Sequence, residues 1–315
     1  MGVFIIGDIL EIVNFWFEDK DVTATEIKAN VTKIHCNNKS YILKEKGSIK
    51  QLLVEIHVLE QLDEKGVKVQ KLVETSNSEK YVFYREKYYC LYEYVAGSVL
   101  EIKDTENLKE LGSTIGVEIA NLHQALNSVN NNNNELVKRD LYKVVYGWAL
   151  PILEKNEYVH QDVIRKMNQI HIDFKETVHS LRKQIIHRDM HLSNVIFKDN
   201  EFQGFIDFEL LESNVRVFDL SYCCTSILSE LYSDEVLRGK WQHIISTIFE
   251  GYNKQNILTR EELQSIWYVM LSIQVIFITY FVQLKDLLKL NEEMFFWIFA
   301  NKEAIEESIE RIARK

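Results

Sequence analysis

IIHRDMHLSNVIFKDNEFQGFIDFEL, residues 185–210, is the stretch on which the reading of the chain turns. Short apolar runs at 185–186, 195–197 and 205–208 flank polar, loop-like groups. Asp189 and Asn194 stand five apart on a loop, and Asp207 follows thirteen residues later at the end of an apolar run. Phosphoryl transfer needs a carboxylate beside the attacking hydroxyl and hard oxygen ligands for a magnesium ion that bridges the phosphates. Asp189 suits the first task, and Asn194 with Asp207 the second. Each alone is an ordinary loop residue. Their spacing between β-like runs is what carries the reading.

Outward from this block the chain divides in character. Residues 4–17 read as a helical lead-in, and 22–35 alternate loosely with β-branched types. Asn37-Asn38-Lys39 is a turn before the strand SYILKEK at 40–46, a hairpin signal. Leu52, Leu53, Ile56 and Leu59 give 49–62 a helical period, with Gly66 as a stop. Further strands are expected at 67–75, 80–85 and 88–95. After Gly97 the pattern becomes helical: 105–126, most of 135–182 with a break at Pro151, and 219 to the end. Asn130–Asn134 is a low-complexity loop. The expected organisation is a small lobe over 1–94 and a larger, mostly helical lobe over 95–315.

The block closely resembles the aminoglycoside phosphotransferase and choline kinase superfamily. IIHRDMHLSNVIF and FIDFE match its catalytic loop and metal-binding strand, including the second histidine, His191, that protein kinases generally do not have. YILK, LYEYVAG at 91–97, LGSTIGVEIANLHQAL and FDLSY at 218–222 extend the likeness in order through most of the chain. The resemblance implies an α+β, bilobal protein-kinase-like fold, with an antiparallel sheet and one main helix in the small lobe. It implies that Lys44 contacts ATP, that Glu55 pairs with Lys44, and that Glu93 and Val95 offer backbone groups to adenine. It gives Asp219 a supporting role and His187 a structural one. Lys44 ends an apolar strand and Glu55 lies eleven residues on in an amphipathic helix, an order that suits such a pair. ATP and magnesium are the cofactors implied.

Two departures bear on the substrate. TATEIKANVTKI, where a phosphate-covering loop is expected, has no glycine, so Asn30 and its neighbouring amides would close over ATP. Only eleven residues separate Asp207 from Asp219, which leaves little room for the activation segment on which a protein substrate docks. A small-molecule hydroxyl acceptor is expected. The alternatives are an atypical protein Ser/Thr kinase and a non-catalytic relative resembling spore-coat members of the superfamily. Glu209, Glu212, Glu230, Asp234 and Glu235, with aromatics such as Tyr222, Trp241 and Trp267, suit a cationic acceptor if they line a pocket. They serve equally as a solvated face and a core.

Composition narrows the class. Hydrophobic residues are 46% and charged residues 27%, a globular balance, and the net charge of -10 without a basic run argues against a nucleic-acid partner. Cys36, Cys90, Cys223 and Cys224 have no zinc-like spacing and read as reduced core residues of a cytoplasmic protein. The N-terminal stretch lacks the basic region and small-residue cleavage site of a signal peptide. Residues 263–284 carry no charge and are long enough to span a bilayer. Their interruption by Gln264, Ser265, Ser272, Gln274, Thr279 and Gln283 favours a buried helix and no stable membrane insertion.

Overall fold

The computed structural model describes residues 6–18, 21–100, 102, 107–129 and 136–313. The polyasparagine loop lies outside them. The chain forms two compact units, one of 1–98 with 129–136 and 196–209, the other of 99–128, 137–195 and 210–315. The α+β architecture expected from the sequence is present: an antiparallel sheet with one main helix, and a larger helical unit.

In the first unit the strands Val22–Lys28, Val31–Cys36, Lys39–Lys46, Lys87–Glu93 and Leu72–Val73 lie side by side in that order, and Val82–Tyr84 also pairs with Lys87–Glu93. Every pairing is antiparallel. The 22–35 segment is thus two strands, split by a turn in which Asn30 takes a φ of 67°. At the next turn Asn37 and Asn38 have φ of 51° and 61°, the left-handed pair that a two-residue hairpin requires. The 67–75 segment contributes only Leu72–Val73.

Strand alternation sorts the sheet's side chains. Ile34, Cys36, Leu43, Tyr89 and Leu91 pack with Ile12, Val13, Trp16 and Phe17 from and after the Ile6–Val13 helix. Lys44 and Lys46, two residues apart on one strand, share a face and are both buried. The Ile49–Glu64 helix starts at Ser48, whose hydroxyl accepts from the Gln51 N–H, and stops before Gly66 at φ 72°. At Gly97, φ is 144°, and a Cβ would stand 2.3 Å from the Phe197 carbonyl oxygen, so no other residue fits there.

The second unit is built on helices Leu108–Asn127, Val217–Leu231, Glu235–Gln255, Arg260–Tyr280 and Lys285–Ala300. A three-stranded sheet of Val137–Lys138, Glu212–Val215 and Lys183–Ile186 accompanies them. Pro151 sits in the first turn of Leu150–Leu153, just after a π-helical turn at Lys143–Ala149. The Arg260–Tyr280 helix is long and apolar enough to cross a membrane, yet 83% of its apolar window is buried inside the fold. Its hydroxyls are satisfied locally: Ser265, Ser272 and Thr279 donate to the carbonyls of Glu262, Val269 and Val275. All four cysteines are free and buried.

Helices Leu108–Asn127 and Glu235–Gln255 approach so closely that a Cβ on Gly116 would lie 1.9 Å from the Ile248 carbonyl oxygen. Backbone cannot retract as a flexible side chain can, so any side chain here would force the helices apart. Gly116→Ala is expected to destabilise the protein by about 3 kcal/mol or more. Urea unfolding of the variant against the parent measures this. A change below about 1 kcal/mol would show that the helices can shift freely.

Candidate active site

Two groups of side chains carry the candidate chemistry, one in each unit. In the first unit, Lys44 Nζ stands 2.8 Å from Asp207 Oδ1 and 3.8 Å from Glu209. Lys46 Nζ binds both oxygens of Glu55, at 2.8 and 3.1 Å, and Glu209 at 2.7 Å. Glu55 therefore pairs with Lys46 and not with Lys44, a correction to the pairing implied by the resemblance. Two lysines on one strand face are equivalent in sequence. Where the Ile49–Glu64 helix lies against that face selects Lys46. The Tyr92 hydroxyl and Gln70 Nε2 also donate to Glu55, at 2.8 and 3.4 Å.

Gln70 is a residue that sequence reasoning missed. Its amide oxygen accepts from the Asp207 N–H at 3.1 Å, which braces Asp207 at a left-handed φ of 69°. Burial works against ionisation of Asp207, but the Lys44 charge and hydrogen bond, helped by Lys46, lower its pKa. Burial likewise opposes the charged form of Lys46, and Glu55 and Glu209 outweigh it and raise its pKa. Glu93 ends its strand with its N–H on the Lys71 carbonyl, and the Tyr94 N–H is taken by Ser40. Of the Glu93–Val95 stretch, the Glu93 and Tyr94 N–H groups are thus already used inside the protein.

In the second unit, Asp189 lies on the loop after Lys183–Ile186. Asn194 Nδ2 donates to its carboxylate at 3.1 Å and to its backbone carbonyl at 2.8 Å. His191 Nε2 is 3.4 Å from the same carboxylate oxygen, while His191 Nδ1 pairs with the Ser193 hydroxyl. The Tyr222 hydroxyl donates to Asp189 as well. Burial pushes the Asp189 pKa up, but the hydrogen bond and charge of His191, with His187 and Tyr222, bring it down to about 2.

The loop itself is held by Asp219, which is fully buried. Its carboxylate accepts from the His187 and Arg188 N–H groups, both at 2.8 Å, and pairs with His123 Nε2 at 3.0 Å. His123 Nδ1 in turn meets the Tyr252 hydroxyl at 2.9 Å. His187 is buried, and its Nδ1 accepts from the Asp189 N–H. Glu212, expected among acids near an acceptor, is instead consumed by Arg139 at 2.6 Å and Arg188 at 3.5 Å. Asp234 caps the Glu235–Gln255 helix, and Trp241 and Trp267 are core residues.

A cavity of about 300 Å³ in this unit is lined by His191, Tyr222, Glu230, Gln274, Phe277 and Phe281, among others. His191 and Tyr222 thus touch both Asp189 and the cavity. Gln274 is 1% exposed, and its side-chain oxygen has no hydrogen-bond partner among the described residues. A buried carbonyl oxygen left so is unfavourable unless a ligand or water supplies a donor.

No group of three or more His, Cys, Asp or Glu side chains among the described residues could hold a metal by itself. Magnesium does not need one, since it takes one or two protein ligands and completes its shell with phosphate oxygens and water. Asn194 in one unit and Asp207 in the other each carry an oxygen of the type magnesium takes. The Asn194 amide nitrogen is spent on Asp189, which assigns its oxygen to the opposite side, and Asp207 is held ionised.

Residues 30–252 match the model of the phosphotransferase enzyme family, so the chain belongs to that family. By family it is a phosphotransferase. Solved structures share the fold. An aminoglycoside phosphotransferase from Alicyclobacillus acidocaldarius is 14% identical, covers 100% of this chain and 98% of its own, and has a TM-score of 0.74. An amicoumacin kinase in complex with AMP-PNP and Ca2+ is 19% identical, with 96% and 93% covered and a TM-score of 0.71. A choline kinase from Streptococcus pneumoniae is 16% identical, with 94% and 98% covered and a TM-score of 0.63.

The Lys46–Glu55 pair is almost fully enclosed, at 4% and 2% side-chain exposure. Removing one partner of such a pair strands the other charge. Lys46→Met is expected to destabilise the protein by about 3 kcal/mol, and adding Glu55→Leu to recover much of that. Denaturant unfolding of the two single variants and the double variant reads the coupling. Additive losses would show that the pair is not coupled.

Proposed function

We propose that the protein transfers the γ-phosphoryl group of Mg-ATP to the hydroxyl of a small amino alcohol or another amine-bearing alcohol. The observation that carries this is the ionised Asp189 carboxylate, fixed by Asn194, His191 and Tyr222, with the last two also lining a cavity. The unpartnered Gln274 oxygen and the Glu230 carboxylate favour an acceptor with N–H donors. The rings of Tyr222, Phe277 and Phe281 favour one with an apolar or cationic face.

In this reading Lys44 and Lys46 hold the nucleotide phosphates, Glu55 braces Lys46, and the backbone of Glu93 and Val95 meets adenine. Asn194 and Asp207 would hold magnesium, which neutralises phosphate charge when bound. The acceptor oxygen bonds to the γ-phosphorus as the bond to the β,γ-bridging oxygen breaks, and ADP leaves. A carboxylate with a pKa near 2 is a weak base. Asp189 therefore chiefly orients the hydroxyl, and the proton departs late, which a loose phosphoryl-transfer transition state permits. The site of action is the cytoplasm, where ATP is supplied.

A screen of amines, amino alcohols, aminoglycosides and phosphorylatable sugars, reading ADP release, identifies the acceptor. With it, Asp189→Asn is expected to lower kcat by about 10² to 10⁴ while leaving Mg-ATP binding nearly intact. Asp207→Ala is expected to weaken both. Wild-type turnover in Asp189→Asn would overturn the role given to Asp189. ATP binding with no acceptor in the screen would favour the structural relative, with protein substrates tested next.

The depressed pKa also fixes a pH dependence. A carboxyl lowered from 3.8 to about 2 gives stability that is full above the unfolded value and lost as pH falls through about 2. The kcat–pH profile should show no limb from Asp189 above about pH 4. An acidic limb near about pH 5 that disappears in Asp189→Asn would contradict the assignment.

A further inference from the structure

A second concavity lies in the helical unit and shares no lining residue with the acceptor cavity. It measures about 530 Å³ and is walled by Lys138, Arg139, Lys143, Arg188, Trp148 and Tyr280. The Arg260–Tyr280 helix keeps the two apart. Gln274 and Phe277, three apart, face the acceptor cavity, while Ile276 and Tyr280, four apart, face this cleft. We propose that the cleft is a binding site for a small organic phosphate or carboxylate that carries a flat apolar group.

Charge is the first argument. Four cations line the cleft against one carboxylate, Asp140, in a chain whose net charge is -10. Glu212, behind the wall, is taken up by Arg139 and Arg188. Asp140 accepts the Lys143 N–H and lies 3.7 Å from His179. Lys138 and Lys143 have no ion-pair partner among the described residues, and both are exposed. Even with Glu212 and Asp140 ionised, the cleft keeps two positive charges. A concave wall with low dielectric behind it concentrates that field, which recruits an anion.

Aromatic surface is the second argument. Trp148 and Tyr280 are 37% and 59% exposed, and their rings stand 5.3 Å apart at 51°. With Ile276 they give the cleft an apolar side opposite its cations. Inorganic phosphate would leave that side wet, whereas an aryl phosphate would cover it. Arg188 supplies the innermost cation. It is 15% exposed at its side chain, with its guanidinium 4.9 Å over Phe218 and its backbone at φ 75° held by Asp219. The guanidinium is thus fixed before any ligand arrives, which lowers the entropic cost of binding.

Phenyl phosphate is the probe, benzyl alcohol the neutral control, and calorimetry at constant ionic strength the measurement, on the full chain with saturating AMP-PNP and magnesium. Phenyl phosphate is expected to bind with a Kd of about 1 mM or tighter, and benzyl alcohol at least about tenfold more weakly. Lys138→Glu/Lys143→Glu should weaken phenyl phosphate by about tenfold or more, and Asp189→Asn should leave it unchanged. Lys138→Gln/Lys143→Gln, without added charge, serves if the first double variant melts early. No binding up to about 10 mM, or equal affinity in both double variants, overturns the proposal. Because Asp189→Asn and the nucleotide do not enter the cleft, its failure is distinct from failure of the phosphotransfer reading.

Discussion

A carboxylate with no exposed surface, Asp219, fixes the loop that carries Asp189. It accepts two consecutive backbone N–H groups, from His187 and Arg188, and a third bond from His123. Two adjacent amides can converge on one carboxylate only if the chain bends sharply, and Arg188 accordingly has a φ of 75°. Left-handed backbone at a bulky residue is unfavourable by about 1–3 kcal/mol. The buried, charge-assisted bonds offset it. Asp189 inherits its position from that bend, and Asn194 then locks its carboxylate.

The two groups of site residues follow different physical rules. Around Lys46, opposite charges are enclosed together, and Glu55 and Glu209 keep Lys46 charged against the cost of burial. Around Asp189, hydrogen bonds from Asn194, His191 and Tyr222, with the charge of the neighbouring histidines, stabilise the carboxylate. The first arrangement is rigid and, in the proposed reading, meets the triphosphate. The second leaves a carboxylate able to meet an incoming hydroxyl. Its neighbours His191 and Tyr222 extend from it into the cavity of about 300 Å³, so in the proposed reading chemistry and specificity share side chains.

Much of this was legible in the sequence, for definite reasons. Asp189, Asn194 and Asp207 stand at spacings set by a loop and a hairpin, both local in the chain. The Asn37-Asn38 turn announces itself because few residues accept two left-handed conformations in a row. The uncharged run at 263–284 declared a buried helix by its hydroxyls, which bond to carbonyls three or four residues back. Backbone and near-neighbour rules decide such features, and those rules act on consecutive residues.

What only the tertiary structure decided involves choices between residues that the sequence presents as equals. Lys44 and Lys46 share a strand face, and the way the following Ile49–Glu64 helix docks against it gave Glu55 to Lys46 and left Lys44 to Asp207. Gln70 braces Asp207 from 137 residues away. Of the acids that might have met an acceptor, Glu212 was spent on arginines, Asp234 on a helix end, and Glu230 alone lines the cavity. The cationic cleft joins residues 138–148, Arg188 and 276–280, which are no closer in the chain than any random set. Sequence alone determined which chemistry the loop can carry, because that depends on residue type and short spacing. Partnership between charges depends on distance in space and on what burial excludes, and only the packed fold sets those.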